Sequence, residues 1–342
     1  MLFEALTLQL GYNATLVTIG AALLGLTAGA VGTFLYVGKR ALVSDAISHA
    51  TLPGIGLAFI AMVLLGGDGR SLPGLLIGSA LSAWIGLLCV SWLTHRTRLT
   101  EDAAIGAVLS VFFGLGIVLL TVIQSMQAGR QAGLEGFLLG STAGMLWNEA
   151  VIIAVGGVVV LAVMGVLHRP MALVAFDPDY ARATGTSVRR TELAMMGLAL
   201  AITVVGLKVV GLILIVALLI IPAVAARFWS DRVERVVAIA AGVGGVSGYV
   251  GAALSASAPD LPTGPIIVLI AFAVFALSLL FAPGRGVLAV FLRHRRFQAR
   301  VHVRQGLLAL AQGHPPEVAL AHGVAGASAA VMTAATDLCR RE

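Results

Sequence analysis

The sequence predicts an all-α, polytopic membrane protein with about nine transmembrane helices, within a range of eight to ten. Three observations predict it. Hydrophobic residues make up 59% of the 342 and charged residues only 11%, where a soluble surface needs about a quarter to a third charged side chains. Apolar runs of about 20 residues, long enough to cross about 30 Å of hydrocarbon, recur along the chain. Lys and Arg gather in the short segments between those runs, the pattern of cytoplasmic loops. The same composition excludes a disordered chain and a disulfide scaffold: there are 2 Cys, Cys89 inside an apolar run and Cys339 in the tail. The 41 Gly suit helices that approach one another closely. Mean hydropathy is +1.01. The net charge of +6 is distributed between spans and in the tail, which argues against a nucleic-acid partner.

Taken in order, the expected spans are 16–37, 43–65, 72–93, 103–123, 145–167, 193–207, 209–226, 236–255 and 261–281. The first run is long enough to stay as a span rather than be cleaved as a signal. The stretch 191–228 is too long for one crossing at about 1.5 Å per residue, and it carries Lys208 between Gly206 and Gly211. A tight non-cytoplasmic turn there, or a kinked pair with a re-entrant piece, accounts for it. The segment 134–145 is apolar, Gly-rich and too short to span, so it reads as re-entrant or interfacial. Nine spans place Lys39/Arg40, 95–98, 169–190, 227–235 and everything after Arg285 on one side, and that basic side is the cytoplasmic one. The amino terminus then lies outside and the carboxyl terminus inside. Residues 1–284 form the membrane domain and 285–342 a basic cytoplasmic extension.

The informative motif is SDAISHATLPG (44–54). Residues 52–65 alone are too few to cross, so the second span recruits Asp45 and His49. Intramembrane ionisable groups are expensive and usually face a cavity on a substrate path. The i, i+4 spacing puts both on one helix face, about 5–6 Å apart at Cβ. A carboxylate and an imidazole so placed suit a divalent transition metal, and Pro53 with Gly54 permits a helix break just beyond. The same residues also fit a plainer role, with Ser44 or Asp45 as N-cap and His49 hydrogen-bonded to Asp45 or Ser48. One chain supplies two ligands where a first-row ion takes about four to six, so a metal role favours a two-fold dimer.

Between the fifth and sixth spans, FDPDYARATG (176–185) spells one short helix. Asp177 is its N-cap, Pro178 its first residue and Gly185 its stop. Asp179, Tyr180, Ala181 and Arg182 form its body, with Arg189 and Arg190 following. It reads either as a contact for a soluble partner or as a surface helix with no partner.

At these residues the sequence resembles the permease subunits of the manganese/zinc/iron ABC importers, which are type II importers. The resemblance covers about residues 1–285, through SDAISHATLPG, EDAAIGAVLS (101–110), FDPDYARATG, VGLKVVGLILIVALLIIPAVAARF (205–228) and PTGPIIVL (262–269), in the family's order. It implies a bacterial plasma-membrane protein with two membrane subunits, identical or paralogous, driven by cytoplasmic ABC ATPases. It further implies an extracytoplasmic metal-binding protein that delivers the ion, a transported metal and no permanently bound cofactor. Asp45 and His49 correspond to the family's metal-contacting gate residues, and Asp177, Pro178, Asp179, Tyr180, Ala181, Arg182 and Gly185 to its ATPase-coupling helix. The Ser-His-Ala-x-Leu-Pro-Gly form, and Ser141 where the zinc branch tends to carry Asp, resemble the manganese/iron branch.

Other residues read more plainly. Glu101 and Asp102 cap a helix and complement its dipole. Glu135 and Glu149 are solvated outer residues, Lys208 anchors a turn, and Pro222 kinks a span. The scattered Met residues pack. No GxxxxGK[ST] or HExxH occurs, so any ATP dependence comes from another chain and intramembrane enzymology is disfavoured. In the tail, Arg285, Arg293, Arg295, Arg296, Arg300 and Arg304 suit anionic lipid headgroups. Residues 300–313 form a short amphipathic helix, and His294, His302, His314 and His322 match no compact site. The competing functions are a proton-coupled secondary metal transporter, with Asp45 and His49 as a proton relay, and a membrane scaffold.

Overall fold

The computed structural model describes residue 7 and residues 11–67, 69, 71–125, 145–257 and 261–311. Every regular element among them is a helix: α1 (Tyr12–Val37), α2 (Ala41–Leu64), α3 (Leu72–Arg96), α4 (Glu101–Ser125), α5 (Trp147–Phe176), α6 (Pro178–Ala183), α7 (Val188–Arg227), α8 (Val233–Ala256), α9 (Thr263–Phe281) and α10 (Val287–Ala311). The chain divides into two units, Met1–Ala276 and Leu277–Glu342. Eight of the described helices are long and apolar enough to cross a membrane, and a ninth apolar helix, Leu214–Arg227, is shorter. The segment 134–145, apart from Met145, lies outside the described residues.

The helix count turns on α7. A straight helix of its 40 residues would run about 60 Å, twice the hydrocarbon thickness. Gly211 breaks it with φ 77° and ψ 170°, a backbone region essentially closed to residues with a Cβ. Beyond the break the chain folds back. The Ile215 Cδ1 lies 2.8 Å from where a Cβ on Gly206 would stand, although nine residues of straight helix would separate the two by about 13.5 Å. The expected turn is therefore present, and the returning helix starts at Leu214 rather than at residue 209 because Gly211 interrupts it.

In the first unit, α1 is the scaffold. Two-thirds of its apolar window (67%) is buried, against 22% for α4 and α5, so α1 is interior and the other two present broad apolar faces outward. Small residues let α8 lie against it. A Cβ on Gly25 would stand 2.2 Å from the Gly244 carbonyl oxygen, one on Gly29 2.3 Å from that of Ala240, and one on Gly248 2.3 Å from that of Ala21. Ala21 faces Gly248, Gly25 faces Gly244 and Gly29 faces Ala240, a four-residue step on both helices that defines one antiparallel register. With little hydrophobic drive between helices in lipid, such close packing supplies the association energy.

The helices α2 and α3 pair the same way, through Ala50 with Gly86, Gly54 with Ser82, Ala58 with Gly78, and Met62 with Gly74. Pro53 does not break α2, which runs unbroken from Ala41 to Leu64. Gly116 of α4 packs instead against Leu52 and Pro53. The sequence signals for a break thus serve close contact, because α2 is held by α3, α4 and α7 along its length.

In the second unit, α10 begins at Val287 and so is longer than the amphipathic segment expected at 300–313. Its Val287, Leu288, Val290, Phe291, Leu292 and Phe297 are exposed, and Arg295 sits 4.9 Å over the Phe291 ring. The tail beyond 311, with His314 and His322, lies outside the described residues.

Candidate functional site

The turn between α1 and α2 sets the register of the Asp45/His49 pair. Gly38 N–H donates to the Phe34 carbonyl (2.9 Å) and Arg40 N–H to that of Leu35 (2.8 Å), with Lys39 at φ 60° between them. Helix α2 therefore starts at Ala41, and neither Ser44 nor Asp45 is its cap. Counted from Arg40, Asp45 lies about 7.5 Å and His49 about 13.5 Å along the helix.

The hydroxyls on α2 are used within the helix. Ser44 Oγ donates to Ala41 O (2.6 Å), Ser48 Oγ to Ser44 O (2.9 Å) and Thr51 Oγ1 to Ser48 O (2.6 Å). All three side chains are fully buried. Ser48 is thus committed elsewhere and does not hold His49, which removes one half of the plainer reading.

Asp45 and His49 lie on the face of α2 that this chain leaves partly open, with side chains 42% and 26% exposed. His49 Nε2 and Asp45 Oδ1 are 3.4 Å apart, beyond the 2.7–3.2 Å typical of an N–H···O bond. The other ring nitrogen, Nδ1, is buried with no hydrogen-bond partner. The ring is steadied instead by the edge-to-face Phe113 of α4, with centroids 5.0 Å apart and planes at 84°. A separation of 3.4 Å suits shared ligation: bonds of about 2.1 Å from one ion to both atoms would subtend about 108°, near the tetrahedral value. Among the described residues no group of three or more His, Cys, Asp or Glu could hold a metal.

The short helix forms as its sequence predicts. Asp177 Oδ1 accepts from Tyr180 N–H (2.9 Å) at the start. At the end, Thr186 N–H donates to Ala181 O (2.9 Å) and Gly185 N–H to Arg182 O (3.1 Å). With Gly185 at φ 81° this is a Schellman stop. Ala181 is buried against the bundle, whereas Tyr180 and Phe176 are exposed and Asp179 pairs with Arg182. A rigid turn thus presents an aromatic side chain and a charged pair outward.

Sequence reasoning missed one constellation. Arg40 Nε lies 3.1 Å from Glu101 Oε1 of α4, and its terminal nitrogen 3.0 Å from Glu192 Oε1 of α7. The cap of α4 is Thr100, whose Oγ1 accepts from Ala103 N–H (3.4 Å). Glu149 is buried rather than solvated, and accepts from Leu146 N–H (3.1 Å) at the start of α5. Glu135 and Ser141 lie outside the described residues.

Residues 12–282 match the ABC 3 transport family, covering all the crossing helices and the short helix α6 between them. The chain belongs to the ABC 3 transport family. Among curated relatives, the manganese transport system membrane protein MntC of Bacillus subtilis is 40% identical over 310 residues, 90% of this chain and 70% of that one. The zinc transport system membrane protein TroC of Treponema pallidum is 39% identical, across 83% of this chain and 94% of that one. Among solved structures, a chain of PsaBC from Streptococcus pneumoniae in complex with Fab superposes with a TM-score of 0.71 at 28% identity, covering 83% of this chain and 98% of that one. As an ABC 3 family protein the chain is the multi-pass, all-helical permease subunit of an ABC transporter, and ATP hydrolysis belongs to a separate chain. The family implies a partner ATPase and a substrate-binding protein.

Proposed function

We propose that this permease imports a divalent transition metal, manganese first and zinc or iron as alternatives, and that Asp45 and His49 contact the ion as it crosses. The observation that carries the reading is the pair itself: two metal-type ligands 3.4 Å apart inside a spanning helix, on a face its own chain leaves partly open. Manganese is placed first because the MntC relative is a manganese protein by name and is marginally more similar than the zinc protein TroC.

Two such subunits, identical or paralogous, cover that face for each other and bring two Asp and two His to one pathway, the number a first-row ion takes. Asp177, Pro178, Asp179, Tyr180, Ala181, Arg182 and Gly185 form the contact with the cytoplasmic ATPase, and an extracytoplasmic metal-binding protein supplies the ion. The metal is cargo, and no resident cofactor is invoked. The protein sits in a bacterial plasma (inner) membrane with its amino terminus outside. Residues 1–284 are the permease domain and 285–342 a cytoplasmic extension, on which Arg293, Arg295, Arg296, Arg300 and Arg304 of α10 meet anionic lipid headgroups.

Radiolabelled manganese uptake into proteoliposomes tests the reading. Uptake that requires the co-reconstituted ATPase and ATP is expected. Uptake driven by a proton gradient without ATP would establish the secondary-transporter alternative, and no uptake of any divalent metal would leave a scaffold.

A further inference from the structure

Among the described ion pairs, those of Arg182 with Asp179, Arg227 with Asp231 and His168 with Glu234 each keep a partner at least 68% exposed. Arg40 with Glu192 is different: the two side chains are only 14% and 13% exposed. Solvent-exposed ion pairs are worth little, whereas shielded ones hold their geometry. Arg40 also binds two carboxylates through different nitrogens, Nε toward Glu101 and a terminal nitrogen toward Glu192. The planar guanidinium fork can do this, and a lysine ammonium cannot reproduce it.

The placement of the three residues gives this bridge a mechanical meaning. Arg40 directly precedes α2, and its backbone is fixed by the left-handed Lys39, the only non-glycine residue of positive φ among the described residues. Asp45 and His49 follow within three turns of the same unbroken helix. Glu192 lies one turn into α7, whose start at Val188 is joined to the Gly185 stop of the docking helix by two residues. The docking helix and the first turn of α7 are tied by buried Ala181 and Val188 and by α6 packing on α7. Alongside the direct packing of α7 on α2, the Arg40 guanidinium ties the first turn of α7 to the residue that starts α2. Glu101 brings in the start of α4, the helix whose Phe113 holds the His49 ring.

We propose that Arg40 is a positioning residue that couples movement of the ATPase-docking helix to the Asp45/His49 pair. This deepens the function proposed above and rests on it. When the ATPases displace α6, the first turn of α7 carries Glu192 with it, and Arg40 passes that displacement to the start of α2. Without the bridge, ATP hydrolysis proceeds while α2 responds weakly, and import is uncoupled.

The test is ATP hydrolysed per manganese ion imported, in proteoliposomes containing the complete transporter with its partner chains. Arg40→Met is expected to keep basal ATP hydrolysis within about twofold and to raise the ratio at least about fivefold, the lower end of typical coupling effects. Arg40→Lys, which keeps the charge but not the fork, falls between. A merely structural role would lower the amount of assembled transporter and reduce import and hydrolysis together, leaving the ratio unchanged. Should Arg40→Met fail to assemble, Glu192→Gln decides: it keeps the side-chain shape and leaves Arg40 paired with Glu101, and a raised ratio supports the bridge. An unchanged ratio in the assembled variant overturns it. Asp45→Asn run in parallel separates the two ideas. Import lost there with an unchanged ratio in Arg40→Met overturns the bridge alone, and normal import there overturns the metal reading and the bridge with it.

Discussion

Replacing Gly25 with alanine adds one methyl group where the α1 and α8 backbones touch. The new Cβ would stand 2.2 Å from the Gly244 carbonyl oxygen, against an ordinary contact of 3.4 Å, so about 1.2 Å of separation is required (3.4 − 2.2). A backbone carbonyl cannot rotate away as a side-chain tip can, so the helices must part. A radial gap of 0.5–1 Å forfeits about a quarter to a half of each dispersion contact. With about 40 atom pairs at about 0.15 kcal/mol each, the loss is about 2 kcal/mol. Alanine returns up to about 1 kcal/mol through helix propensity, leaving a net cost of about 1–2 kcal/mol. Thermal unfolding of the purified protein in detergent, followed by its Trp fluorescence, should show midpoints lowered by about 2–4 °C. The internal control is Gly242→Ala, on the facing helix α8 but with nothing within 4 Å of its added Cβ, which should be neutral or slightly stabilising. Equal midpoints for the two variants would refute the close-packing argument.

Gly211→Ala should be costlier per atom, because φ 77° with ψ 170° excludes a Cβ; about 1–3 kcal/mol of strain is expected, read as a lower unfolding midpoint. Asp177→Ala removes the N-cap bond to Tyr180 and should weaken the docking helix by about 1 kcal/mol, seen as reduced ATPase-dependent import with unchanged membrane insertion.

Much of the fold is legible in the sequence, because a bilayer imposes one coarse rule: a span needs length and apolarity, and both are local properties. The short helix α6 is legible for a similar reason, since Asp177, Pro178 and Gly185 each act within one turn. The reading fails where the deciding contact is distant. Pro53 and Gly54 look like a break in isolation, but packing against α3 and α4 keeps α2 whole. Asp45 looks like a cap until Lys39 and Arg40 are seen to start the helix at Ala41. Arg40 reads as one more basic loop residue, because its partners Glu101 and Glu192 lie on other helices far along the chain. Glu149 is an exception: its carboxylate turns back only three residues onto Leu146 N–H, a local helix-start contact.

The central claim is that the ion passes between Asp45 and His49, and its most direct test is the initial rate of manganese import by the complete transporter carrying Asp45→Asn or His49→Ala. Each variant should lose at least about tenfold in rate, the change expected when a group touching the metal is removed, while insertion and assembly stay normal. Import at the unaltered rate by both variants would contradict the account.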